Sequence, residues 1–304
     1  MLDLIKARIS RLEEVCPTIE VGNASYPTKG GDDDCLWLGL LASVGYQPAM
    51  DGVFECQKRV GEQEGLFLGN PKLAANEKQD QSIFSSDMAL GVLCWLVSSE
   101  YSGRSVLAAE LWLKWINKNR RCLIPNPKIF GGGCLLHGGY RYAPSKDKRS
   151  NITPTMWSLM GRVWDHRGLE PHKMMEFAEG TFAIVEDEVS VLEAEFCALG
   201  YQLHLKAVQA YIKLQIQQST ECRKKVTKMC HARLPANLFY KVLYQEGASK
   251  EDMEVFLTML PNPMTFRPQN YWLWEREDYT EAVRQGNMCG WDMVFLGKLI
   301  LQFT

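Results

Sequence analysis

Three times in this chain an aspartate opens an apolar helical phrase that carries a glycine four or five residues on. Asp34 precedes CLWLGLLASVG, Asp87 precedes MALGVLCWLVS, and Asp292 precedes MVFLGKLILQF. In the middle phrase Met88, Ala89, Val92, Leu93, Leu96 and Val97 fall at helical spacing. Ser85, Ser86 and Asp87 sit where helix N-caps sit. Gly91, one turn in, leaves room for another backbone to approach closely. The echo speaks about architecture before it speaks about activity.

Helical patterns recur along the rest of the chain. The spacing predicts helices over Leu2–Val15, Leu36–Ser43, Asp87–Ser99, Arg104–Asn119, Pro154–Arg167, Pro171–Glu179, Val189–Gln217, Ser219–Met229, Ala236–Tyr244, Lys250–Leu260 and Asp292–Phe303. Thr153 is a good cap before Pro154, which suits a first turn, and Ser249 caps the helix that begins at Lys250. The short connection at Gly103 makes the helices on either side an antiparallel hairpin. Residues 17–33 read as a loop with Gly22-Asn23 and Gly30-Gly31 signals. Residues 46–81 read as mostly irregular, with one short helix near Val53–Val60. Residues 120–153 lack helical periodicity and suggest a short β-hairpin at Cys134–Tyr142, and Thr181–Val185 is strand-like. Strand alternation is otherwise nearly absent and no low-complexity linker divides the chain. The expectation is a single all-α domain over residues 1–304, built from helical hairpins arranged toroidally. No fixed repeat of the tetratricopeptide kind argues for a stacked superhelix.

Composition limits the function classes. A formal net charge of -2 argues against bulk nucleic-acid binding. No apolar run approaches the roughly 18 residues of a membrane span. The N-terminal stretch MLDLIKARISRLEEVCP is an amphipathic helix with charges throughout, so a signal peptide is not expected. The ten cysteines are scattered, and Cys35, Cys94 and Cys197 lie inside apolar helical patterns. Buried free thiols in a reducing compartment follow. A protein made in the cytoplasm and delivered outside by another route fits equally well. Neither a cofactor nor a structural metal is expected. Cys134 and His137 have metal-ligand spacing, but no second pair lies nearby. The glycines of 131–139 are not a phosphate loop, since the Gly-Lys-Ser/Thr ending is absent.

Asp-initiated helices, long polar loops joining hairpins, and Trp-rich connections together resemble the (α/α) toroid of six-hairpin glycosidases and polysaccharide lyases. The resemblance implies an all-α toroid whose central cleft takes a carbohydrate or polysaccharide. In such a toroid alternate helix starts surround one end of the cavity. Asp33 or Asp34 with Asp87 would then supply the two carboxyl groups that glycoside hydrolysis needs, and Asp292 would join them. The plain alternative is that each aspartate merely caps its helix. Trp272 and Trp274, in the run YWLWER, offer flat faces suited to a sugar ring. Otherwise these rings plug the core while Glu275 and Arg276 pair on the surface. The loop GGGCLLHGGYRY contributes His137 and Tyr140 as a base and a phenol, and Arg141 as a partner for a uronate carboxylate. No Gly-x-Ser-x-Gly nucleophile motif occurs. The expectation is therefore a glycoside hydrolase or polysaccharide lyase. Its rival is a non-catalytic helical scaffold, or a module that binds glycan or protein. Oligomeric state is left open by the sequence.

Overall fold

The computed structural model describes residues 1–304 except 32, 77–83, 99–102, 120–121, 126–133, 138–139, 145–150, 170–187, 218–219, 261–265, 267–271, 279–282 and 284–287. Of residues 122–125, 134–137, 154 and 220 only the backbone is described. The chain is mostly helical, an all-α fold. Helices are α1 (Leu2–Val15), α2 (Cys35–Ser43), α3 (Gln47–Glu55), α4 (Pro71–Ala75), α5 (Ser86–Ser98), α6 (Gly103–Lys118) and α7 (Pro154–His166). Then come α8 (188–196), α9 (Tyr201–Gln215), α10 (Thr220–Arg233), α11 (Leu238–Gln245), α12 (Lys250–Met259), a 3-10 turn at Leu273–Glu275, and α13 (Trp291–Gln302). Strands β1 (Thr18–Val21) and β2 (Ala24–Pro27) form one antiparallel hairpin, and β3 (Cys122–Pro125) and β4 (Cys134–His137) a second pair. No helix among the described residues is long and apolar enough to cross a membrane.

The three echoed phrases are the centre of the molecule. Every residue of α2 is buried, as are Met88–Val97 of α5 and nearly all of α13. Helices apolar all round can only be placed inside. α2 and α5 pack most closely because their backbones touch. A Cβ added at Gly91 would fall 2.2 Å from the carbonyl oxygen of Cys35, and one at Gly39 would fall 1.9 Å from that of Gly91. Gly297, the third glycine of the echo, receives side chains instead. A Cβ there would lie 2.9 Å from Ile9 of α1 and 2.8 Å from Phe256 of α12. The first and last helices pack together, with Trp291 Nε1 donating to the Pro17 carbonyl at 2.6 Å.

Local signals start the helices where they were legible. Thr153 Oγ1 accepts from the Met156 amide at 3.3 Å. Ser249 and Asp252 cap each other reciprocally at the start of α12. Four expectations are corrected. Val189–Gln217 is not one helix: it breaks after α8, and Gly200 turns with φ 75 before α9 begins. Arg233 donates to the carbonyls of Ala194 and Cys197 at 2.8 and 2.7 Å, which terminates α8. The short helix of residues 46–81 lies earlier than Val53–Val60, since Pro48 sets the first turn of α3. Residues 17–33 contain a hairpin, turning at Gly22 with φ 61. Cys134–His137 pairs with Cys122–Pro125 and not onward toward Tyr142. The expected elements at 171–179 and 181–185 lie outside the described residues.

The glycine contact makes a graded prediction. Gly91→Ala drives a Cβ into backbone and should cost at least the upper end of the about 1–3 kcal/mol typical of overpacking. Gly297→Ala meets side chains that can shift and should cost less, and Gly103→Ala, with open space around it, should cost nothing measurable. Chemical denaturation of the three variants gives the order, and equal midpoints for all three would refute the packing assigned to Gly91.

Candidate functional site

Four chain segments bring ionisable side chains together at helix starts. Just before α2, the Lys29 ammonium lies 2.7 Å from Asp33 Oδ2 and 4.4 Å from the centroid of Trp37. In the first turn of α5, Asp87 accepts a hydrogen bond from the Ser85 hydroxyl. At the start of α9, Tyr201 lies within electrostatic reach of Asp87. At the end of the 3-10 turn sits Glu275, whose side chain is 2% exposed and whose Oε2 accepts from the Trp272 amide at 3.0 Å. Lys29, Asp33 and Asp87 all lie within electrostatic reach of Glu275. His204, one turn beyond Tyr201 on α9, places Nε2 3.9 Å from Glu275 Oε1.

Burial sets the protonation states. Removal from water pushes the Glu275 carboxyl up from 4.5 to about 8, opposed by the charge of Lys29 and the Trp272 amide and reinforced by Asp33 and Asp87. Glu275 therefore carries its proton at neutral pH. Burial drives His204 down to about 3, so it is neutral beside that acid. The Tyr201 phenol is raised, by burial first and then by the charge of Asp87. Asp87 itself is half-buried and accepts from the Ser85 hydroxyl. A neutral acid and a hydrogen-bonded carboxylate thus share one neighbourhood, which is the raw material of general acid–base chemistry.

The expected site residues divide sharply. Asp33 and Asp87 belong to this cluster. Asp34 is taken up by the loop before α2: its oxygens accept from the Thr28 hydroxyl at 2.8 Å and the Lys29 amide at 3.0 Å. Burial pushes Asp34 up to about 6 despite those bonds. It pins the loop before α2 and does not cap its own helix through its side chain. Asp292 is fully buried and accepts from the Leu273 and Met293 amides at 3.2 and 2.9 Å, so it ties the 3-10 turn to α13. An open substrate-binding position for Asp292 is corrected accordingly. Trp272 and Trp274 are also fully buried and offer no platform to a sugar. Trp272 meets Trp37 edge-on at 4.6 Å, and Trp274 Nε1 donates to the Asp292 carbonyl at 3.0 Å. Tyr140 is buried flat against Trp157, with centroids 4.3 Å apart, and Arg141 Nε donates to the Asn119 carbonyl at 2.9 Å. The side chain of His137 lies outside the described residues.

Lys29 and Tyr201 were not singled out from sequence. Glu275 entered only as a neighbour of the tryptophans, either binding substrate hydroxyls with Arg276 or pairing with Arg276 on the surface, and the buried position it holds is neither. The only local hint was the ring-dense run YWLWER, because rings packed that tightly can pull the following carboxyl inward.

A cleft of about 500 Å³ is lined among others by Ser86, Thr153, Thr155, Phe196, Gln202 and Lys206, and none of the clustered ionisable side chains is in its lining. Ser86 and Gln202 are the chain neighbours of Asp87 and Tyr201. No protein-family model matches the chain, and neither does any curated protein or solved structure. Among the described residues no group of three His, Cys, Asp or Glu side chains could hold a metal ion.

The Glu275 carboxyl predicts a pH signature. In the fold it keeps its proton to about pH 8, while in the unfolded chain it loses it near the ordinary 4.5. Between those values the native state binds the extra proton, so this group's contribution to stability falls as pH rises. Glu275→Gln removes the titration. The melting temperature of the variant relative to wild type should climb steadily from pH 4.5 to about 8. A difference that stays flat across that window would show that Glu275 ionises normally.

Proposed function

We propose that this protein is a carbohydrate-active hydrolase that cleaves glycosidic bonds, with Glu275 as proton donor and Asp87 as its partner carboxylate. One observation carries the reading. Two carboxyl groups within electrostatic reach occupy different environments, one buried and protonated to about pH 8, the other half-buried and held by the Ser85 hydroxyl at a helix start. Protonated Glu275 donates to the glycosidic oxygen as the bond to the anomeric carbon breaks. Asp87 either attacks that carbon or takes a proton from a water that does, and the separation of the two groups sets which. Ser85 orients Asp87 through its hydroxyl, and Tyr201 stands within electrostatic reach. Lys29 holds Asp33 and offsets part of the negative charge around the acid. The helix starts of α2, α5 and α9 contribute Asp33, Asp87 and Tyr201, which suits the (α/α) toroid as the surrounding architecture.

Hydrolysis is proposed over elimination because a neutral acid and a second carboxyl group are the pair that hydrolysis uses, whereas the Tyr201 phenol is raised further from the phenolate that elimination would need. The rival reading, a non-catalytic helical binding module, draws support from Asp34 and Asp292, whose carboxylates serve the fold's own backbone. It gives no role to a neutral Glu275 among charged neighbours.

The test is a screen of neutral and acidic polysaccharides with wild type, followed by Asp87→Asn and Glu275→Gln on whatever is cleaved. Each variant should lose about 10²-fold or more in kcat while its melting temperature moves by only a few degrees. Wild-type activity should decline above about pH 8, where Glu275 gives up its proton. Cleavage by both variants at the wild-type rate would remove the assignment.

A further inference from the structure

The cleft lined by Ser86 and Gln202 has a chemistry of its own. Its walls come from α5, α7, α8 and α9, and hydroxyl and amide side chains (Ser86, Thr153, Thr155, Gln202) alternate with apolar ones such as Met156 and Leu205. The two charged side chains that line it, Glu193 and Lys206, bond to each other at 2.5 Å, so the cleft presents no unpaired charge to a ligand. Phe196 stands on its rim with 76% of its surface exposed. Gln202 uses its Oε1 to accept from the Ala198 amide, which fixes the side chain with its two N–H donors on the other atom. Fixed polar groups, an open aromatic face and self-cancelled charge are what an uncharged polyhydroxylated ligand requires. The volume of about 500 Å³ holds more than one sugar ring and falls within the range of ligand pockets.

We infer that this cleft is the subsite that holds the continuing chain of a neutral oligosaccharide, with Phe196 as its stacking platform. The inference rests on the hydrolase reading for the direction in which the chain runs, from Ser86 beside Asp87 outward to Phe196. It adds two things to that reading. The substrate is a polymer, not a single glycoside, and it is uncharged, not uronic.

Binding is measured apart from cleavage. Cellohexaose, maltohexaose, chitohexaose and an oligogalacturonate of equal length are titrated calorimetrically into Glu275→Gln, with and without Phe196→Ala. Phe196 is open to solvent, so its truncation leaves the core intact, and a thermal melt checks this. At least one neutral hexasaccharide should bind, and Phe196→Ala should weaken it about tenfold. The oligogalacturonate should bind more weakly than that neutral chain. Failure of every neutral hexasaccharide to bind, or tighter binding of the oligogalacturonate, overturns the inference. The two readings fail separately. Neutral-chain binding that depends on Phe196 without cleavage by wild type upholds the cleft and removes the hydrolase. Cleavage that needs Glu275 and Asp87 but proceeds with unchanged kcat/KM on long chains in Phe196→Ala upholds the hydrolase and removes the cleft.

Discussion

The contact between Gly39 and Gly91 is the constraint on which the rest of the arrangement depends. Helix axes usually stand 8–10 Å apart, held off by side chains. Here α2 and α5 lose that spacing, because carbonyls of each lie where the other's Cβ would be. The contact is also near the helix starts. Cys35, the first residue of α2, meets Gly91, one turn past Asp87. The loop carrying Lys29 and Asp33 is thereby held beside the first turn of α5. A side chain at either glycine would push the two helix backbones apart, and with them the loop and the helix start that carry Asp33 and Asp87.

Drawing those groups together has an electrostatic cost, and the fold meets it by neutralisation. Burying an ionised carboxyl without a partner is far more expensive than burying the acid. Glu275 answers by keeping its proton, and His204 beside it by losing one. Lys29 lies against Asp33, and its ammonium also stands over the face of Trp37. What remains is a compact region in which burial holds a proton on Glu275 up to about pH 8.

Much of the fold was legible in the sequence because it is set locally. Thr153 before Pro154, Ser249 with Asp252, and the apolar phrases after Asp34, Asp87 and Asp292 each fix a helix within a few residues. The break at Gly200 was hidden, since apolar residues keep helical spacing across it. A Cβ at Gly200 would come 3.0 Å from the Glu275 carbonyl, so the reason for the break lies in a distant segment. The candidate site was half legible for the same reason. The echo pointed to three aspartates as equivalents, yet only the partners distinguish them. Asp34 finds Thr28 and Asp292 finds the 3-10 turn, while Asp87 finds a tyrosine that begins another helix. None of those partners can be read from the phrase itself.

Asp292 shows how a residue off the site can still determine it. Its carboxylate accepts from the Leu273 amide, and its carbonyl accepts from the Trp274 indole. Those two bonds fasten both middle residues of the segment Trp272–Glu275 to the start of α13. Asn237 and Tyr240 hold the same segment from the other side, each donating to the Trp274 carbonyl. With Trp272 and Trp274 locked into the core, the Glu275 side chain is held 2% exposed, and burial keeps its proton on. The buried tryptophans, expected to meet a sugar with their faces, act instead by making the neighbouring carboxyl an acid.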